Sequence, residues 1–293
     1  MVWAGYTDTL DQVRGIRWPA LRRVRGVVVG PHVSTSRGST TEFVEYRPYR
    51  QGDDPRKLDW KLIARTDRAF VRLSQERAIL PTMLVVDASA SMAFPTATHA
   101  KWELARQVSL ALAAVARAGG DPVGLAVAGA ERNVVVAPRT RRSVLDEMMT
   151  AMELEPVGDS AISPAAEVAM RRAARVVLVT DFLGDLESLL SLGGRFVARG
   201  GELYAVHVVD AAELEPDPAT MLLSDPERPE LRRPMSAAAR AVYLRQFGAW
   251  REDLSSAWHR AGALYSMVVP GREPIRRTVR RLTARPGQTG SGR

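Results

Sequence analysis

The chain is 293 residues long, 46% hydrophobic and 25% charged, with no cysteine and a formal net charge of +8. Those values fit a globular protein with a sizeable core, and exclude a fibre, a disordered tail protein, a disulfide scaffold and thiolate chemistry. The positive charge sits at the ends. Residues 1–80 carry 15 basic and 9 acidic groups, residues 270–293 carry seven Arg and one Glu, and the stretch between is mildly acidic.

Residues 1–80 show no alternation of strands and helices and contain a polar block from Tyr46 to Arg65, expected to form a small N-terminal subdomain. From Pro81 onward short apolar runs alternate with helical segments, the rhythm of a mostly parallel sheet. Met83-Leu-Val-Val-Asp87 reads as a buried strand ending in a carboxylate. A helix over 101–118 follows, with Leu104, Val108, Ala111, Leu112 and Val115 on one face. Residues 123–128 and 133–137 read as a strand pair, and 142–154 and 164–174 as helices. Val176 to Thr180 is a second buried strand, again followed by an acid, Asp181. A helix over 186–199, a strand over 203–209, a helix over 237–261, a strand over 264–269 and a basic helix over 273–283 complete the rhythm. Residues 211–235, rich in Pro, Asp and Glu, read as an inserted loop or hairpin, with extended pieces near 221–223 and 230–232. The main domain is expected over 81–285, followed by a flexible tail over 286–293.

Four His, at 32, 99, 207 and 259, lie too far apart in sequence for a His-built zinc site. The N-terminus lacks the basic-then-apolar layout of a signal peptide, and no run of about 18 apolar residues is present. The chain is expected to be cytoplasmic.

The chemistry concentrates at Asp87-Ala-Ser89-Ala-Ser91-Met92, directly after a strand. In an open parallel sheet, loops leaving the carboxyl ends of strands form the ligand crevice. An Asp at the strand end and two hydroxyls at alternate positions can converge three oxygens on one point. Hard divalent cations take oxygen ligands, Mg²⁺ in near-octahedral geometry at about 2.0–2.1 Å. Asp181 is the natural second carboxylate, and Ser160, in Gly158-Asp-Ser-Ala-Ile162, the third-loop hydroxyl; Asp159 is the alternative at that position.

These residues resemble the metal-ion-dependent adhesion site of von Willebrand factor A domains, where D-x-S-x-S follows the first strand, a Thr comes from a second loop and an Asp from a third. Asp87, Ser89, Ser91 and Asp181 match in type and order, and Ser160 stands in place of the usual Thr. Upstream, Ser34-Thr-Ser36-Arg-Gly38, Glu45-Tyr-Arg47-Pro-Tyr49, Gly52-Asp53-Asp54-Pro-Arg56 and Asp59-Trp60-Lys-Leu-Ile-Ala64-Arg65 resemble the block that the bacterial domain-of-unknown-function fifty-eight family places before an A-type domain. The resemblance implies a Rossmann-like doubly wound α/β sheet of the von Willebrand factor A type. It also implies a site for Mg²⁺, or for Mn²⁺ or Ca²⁺, at Asp87, Ser89, Ser91, Ser160 and Asp181. The implied role is a non-enzymatic adaptor whose partner carboxylate completes the metal shell, the partner being a MoxR-type AAA+ ATPase. Within the upstream block, the interleaved Asp and Arg suit an ion-pair network with Trp60 as an apolar anchor.

Two further functions compete. A Mg²⁺-dependent, phosphatase-like hydrolase would use the same carboxylates with Asp185 as acid or base, against which Asp185 reads as a helix N-cap. Binding to an anionic membrane or to nucleic acid would use the basic ends, yet Ile275-Arg-Arg-Thr-Val279-Arg-Arg-Leu282 also suits a helix packed on the sheet with its Arg outward. No motif points to specific nucleic-acid readout or to a small-molecule substrate. Met148, Met149 and Met152 read as core packing, and His207 as a satisfied buried histidine.

Overall fold

The computed structural model describes residues 5–21, 29–33, 43–51, 53, 55, 58–74, 77–129, 133–219, 222–224 and 232–285. The chain divides into two compact units, one made of residues 1–18 with 81–293 and one of residues 19–80. Helix α1 (Tyr6–Gln12) belongs to the larger unit. The smaller holds β1 (Val29–Val33), β2 (Phe43–Pro48), helix α2 (Trp60–Thr66), β3 (Phe70–Ser74) and β4 (Arg77–Ala78), with β1 antiparallel to β4 and β2 to β3.

Inside the smaller unit the described part of the polar block holds an ion pair and a set of hydrogen bonds. Arg47 donates to both oxygens of Asp53 at 2.7 and 2.8 Å, and the Asp53 carboxylate also accepts from the Arg50 backbone N–H. Asp59 caps α2 by accepting from the N–H groups of Lys61 and Leu62, and its other oxygen accepts from the Tyr46 hydroxyl at 2.7 Å. Trp60 corrects an expectation. It opens α2 and is 66% exposed, so it is not a buried anchor among the described residues. Residues 34–38, 52, 54 and 56 of the block, and the tail over 286–293, lie outside the described residues.

The larger unit is built on six strands: β5 (Thr82–Asp87), β6 (Val123–Ala128), β7 (Val134–Arg139), β8 (Arg175–Thr180), β9 (Glu202–Val208) and β12 (Leu264–Val268). Their order is β12-β9-β8-β5-β6-β7, all parallel except β7, which returns antiparallel to β6. Counted along the chain, this is the doubly wound order in which consecutive strands add outward from a central first strand, first to one side and then to the other. The central strands are apolar between their ends because helices cover both faces. Met83, Val85, Val176 and Leu178 face helices α5 (Ile162–Arg172), α6 (Leu186–Ala198) and α8 (Ala237–Arg260) in one core cluster. The alternate residues face helix α3 (Ala100–Ala118), which packs with α1, α4 (Val144–Ala151) and α9 (Ile275–Thr283). Met148, Met149 and Met152 are buried in that packing. Gly124 is where the β6–β7 ladder shifts register. A Cβ there would lie 2.5 Å from both the Met83 sulfur and the Val136 carbonyl oxygen.

Residues 5–18 pack on the larger unit, although residues 1–80 were expected to form one subdomain. Thr9, Val13 and Trp18 are buried, Arg276 of α9 donates to the carbonyls of Gln12 and Arg14, and the Trp18 indole donates to Tyr204 of β9 at 2.9 Å. A seven-residue amphipathic helix leaves no βα rhythm for sequence reading to find. Between β9 and α8 the chain forms the short helix α7 (Ala211–Leu214) and a hairpin of β10 (Leu222–Ser224) and β11 (Arg232–Pro234). Among the described residues no helix is long and apolar enough to cross a membrane.

Candidate metal centre

Strands β5 and β8 are neighbours in the sheet, and the connections that follow them run to opposite faces, α3 on one side and α6 on the other. The gap between their carboxyl ends is the crevice of a doubly wound sheet. Asp87 closes β5 there, fully buried, and Thr180 closes β8.

Asp87 Oδ1 accepts from the Ser89 backbone N–H at 3.1 Å, and Oδ2 accepts from the hydroxyls of Ser160 at 2.7 Å and Thr180 at 2.8 Å. Ser89 and Ser91 are both buried with their hydroxyls 3.1 Å apart, at the start of a 3-10 turn over Ala90–Ala93. The Ser160 loop is tied to the Asp87 loop by two backbone hydrogen bonds, from Ala90 N–H to the Gly158 carbonyl and from Val157 N–H to the Ala88 carbonyl, each 2.9 Å. Gly184 lets the loop after β8 close on the same point, since a Cβ there would sit 2.8 Å from the Ser160 Cβ. Asp159 is exposed beside this cluster.

Asp181 stands next to the cluster and faces a different partner. Its Oδ2 accepts from the Lys101 ammonium at 2.7 Å, and Oδ1 accepts from the Leu183 N–H at 3.3 Å. Lys101, fully buried on α3, also donates to Glu213 Oε1 at 3.0 Å. Glu213 is fixed in turn by the capping box of α7, where its Oε2 accepts from the Asp210 N–H at 2.7 Å. His207 shares a 2.6 Å hydrogen bond with the Tyr265 hydroxyl, through Nδ1, and packs against Phe182 and Trp250.

The electrostatics follow from burial. Desolvation, joined by the nearby Asp181 charge, pushes the Asp87 carboxyl up to about 6, against the three hydrogen bonds it accepts. Desolvation pulls the Lys101 ammonium down, but Asp181 and Glu213 outweigh it and its net shift is upward. Burial raises Glu213 despite Lys101, and lowers His207 to about 3, leaving that ring neutral. Three acids, Asp87, Asp181 and Glu213, gather here around one lysine, Lys101. A low-polarity site penalises an unbalanced carboxylate charge, and a divalent cation would offset it.

The donor set fits that cation. Two carboxylates and the hydroxyls of Ser89, Ser91, Ser160 and Thr180 are the hard oxygens Mg²⁺ or Mn²⁺ takes. Among the described residues no group of three or more His, Cys, Asp or Glu is placed to hold a metal, so binding here depends on the hydroxyls. The structure brings Asp87, Ser89, Ser91 and Ser160 together, and sets Asp181 beside them under an internal cation. Sequence reasoning missed Thr180, Lys101 and Glu213. The first two were visible: Thr180 is the one hydroxyl of β8, directly after the apolar run 176–179, and Lys101 sits at helical spacing from Ala105 and Val108 on a face that is otherwise apolar. Asp185 is engaged as the N-cap of α6, accepting from the Ser188 N–H at 3.1 Å.

The family described as "Protein of unknown function DUF58" matches residues 45–252. Curated relatives include "Uncharacterized protein Rv1480" from Mycobacterium tuberculosis and "Uncharacterized protein Mb1516" from Mycobacterium bovis, each 29% identical over 93% of this chain and 88% of the relative. Similar solved structures include BatB from Bacteroides thetaiotaomicron, with 14% identity and a TM-score of 0.44 over 68% of this chain and 95% of that one. The SpRpn10 VWA domain follows, with 12% identity and a TM-score of 0.40 over 68% and 92%.

Proposed function

The chain belongs to the DUF58 family, and from that premise we propose that it is a metal-dependent protein-interaction module. The observation that carries the reading is the convergence of Asp87, Ser89, Ser91, Ser160 and Thr180 at the switch point of the sheet. When bound, a Mg²⁺ or similar cation supplies an electrostatic bridge between this carboxylate cluster and an acidic side chain of a partner. Asp87 would hold it with the hydroxyls of Ser89, Ser91 and Ser160, each able to turn its proton away and offer a lone pair. The partner proposed is a MoxR-type AAA+ ATPase, which the family resemblance supports.

The hydrolase reading draws no support from the site, because Asp185, its acid or base candidate, is spent on capping α6. The helix expected to lie on a membrane or pack on the sheet lies against helices α3 and α1. Ile275, Val279 and Leu282 of α9 are buried, and α9 packs on α3.

The test is capture of partners on the full chain and on Asp87→Ala, each in Mg²⁺ and in EDTA, alongside calorimetric titration of each protein with Mn²⁺. Recovery of an AAA+ ATPase by the unmutated chain in Mg²⁺ alone is the expected result. Recovery in all four conditions moves the contact to another surface, and equal Mn²⁺ binding by both proteins removes Asp87 from the site.

A further inference from the structure

Lys101 is the only lysine in the larger unit, and it is fully buried. A buried ammonium is expensive to desolvate, and an apolar side chain of similar volume often stabilises a fold as well or better. Its place in the cluster gives the charge a role.

Asp87 and Asp181 differ in what surrounds their oxygens. Two of the three donors to Asp87 are the hydroxyls of Ser160 and Thr180. A hydroxyl carries lone pairs as well as a proton, so such a neighbour can rotate and turn from donor to co-ligand when a cation arrives. Asp181 is held by the Lys101 ammonium and the Leu183 backbone N–H, neither of which has a lone pair to give. Lys101 already shares the charge of Asp181 and fixes the direction of its carboxylate, so a direct bond from Asp181 to a metal competes with that ion pair. Lys101 is itself held in place from behind, through Glu213 and the capping box of α7.

We propose that Lys101 is a positioning residue that holds Asp181 back from the metal, so that Asp87 and the hydroxyls bind a divalent cation weakly and leave it electron-poor for a partner carboxylate. This deepens the metal reading and rests on it. Weak binding without a partner is the property an ion-bridged interaction needs, since a cation saturated by protein carboxylates has little attraction left for another acid.

The experiment measures Mn²⁺ and Mg²⁺ affinity by calorimetry on the full chain, on Lys101→Met, and on Lys101→Met combined with Glu213→Gln. The double variant has the formal charge of the unmutated cluster but frees Asp181. Both variants are expected to bind Mn²⁺ about tenfold more tightly or better, because a released carboxylate joins the cation at short range. If Lys101→Met does not fold, the double variant, which leaves one fewer buried acid unpaired, carries the measurement. Unchanged or weaker affinity in a folded variant overturns the inference while leaving the metal site. So does a return to ordinary affinity in the double variant, which would assign the effect to net charge. A purely structural brace would lower the melting temperature equally in Mg²⁺ and EDTA and leave the dissociation constant alone. Absence of metal binding by the unmutated chain overturns the inference and the proposed function together.

Discussion

Strand β8 has a buried charge cluster at each end, and the two are built on opposite terms. At its start Arg175 is fully buried, donates to Glu202 at 3.0 Å, lies 3.7 Å from Asp121 and is covered by the Trp18 ring, 4.2 Å from its guanidinium carbon. The Trp18 indole is satisfied by Tyr204, so this end is sealed by aromatic groups and by a guanidinium that donates in a fixed fork. Just past the other end, Asp181 and Glu213 share one lysine, and Asp87 is surrounded by hydroxyls. One end is a lock whose partners have only one role. At the other the partners can exchange roles, and the acids exceed the bases by two. Buried charge alone therefore marks no function. What separates the ends is whether the neighbours of the carboxylates can become ligands.

The comparison is broken most directly at the sealed end. Arg175→Met leaves Asp121 and Glu202 without their shared cation, and loss of one partner from a buried ion pair costs about 3–5 kcal/mol. For a domain of this size that corresponds to a fall of roughly 10 °C in melting temperature, measured by calorimetry. The fall should be the same in Mg²⁺ and in EDTA, and a fall confined to EDTA would show that the ends communicate. The next effect belongs to the open end. Mg²⁺ at about a hundred times its dissociation constant should stabilise the unmutated chain by about 2.7 kcal/mol, an increment EDTA removes and Asp87→Ala abolishes. Arg175→Met should keep that increment in full.

The same contrast explains what was legible in the sequence. The central strands were readable because four-residue apolar runs, 83–86 and 176–179, are continuous and bounded by polar residues. Asp87, Ser89 and Ser91 were readable because three donors sit within five residues. Glu213 was not, because its meaning lies in a contact with Lys101 across 112 positions of chain. The N-terminal strap was missed for the same reason, since the packing of Trp18 on Arg175 and Tyr204 joins residues far apart in sequence. Trp60 failed in the other direction. Its large apolar surface promised burial, but it falls at the first position of a seven-residue helix, and it is exposed.

A matched pair of small substitutions sharpens the contrast furthest. Thr180→Val and Tyr204→Phe each delete one buried hydroxyl with little change of shape, one at each end of the sheet. Tyr204→Phe leaves the Trp18 indole N–H without its acceptor and removes the hydroxyl from beside Arg175, and should cost about 1–3 kcal/mol in any buffer. Thr180→Val removes a donor from Asp87 and an acceptor from the Phe182 N–H, so in EDTA it should cost about 1–3 kcal/mol. In Mg²⁺ part of that loss should disappear, because the lost donor mattered for stabilising an Asp87 charge that the cation then stabilises instead. Thermal melts of both variants in the two buffers read the difference. A Thr180→Val deficit as insensitive to Mg²⁺ as the Tyr204→Phe deficit would make the open end a second lock.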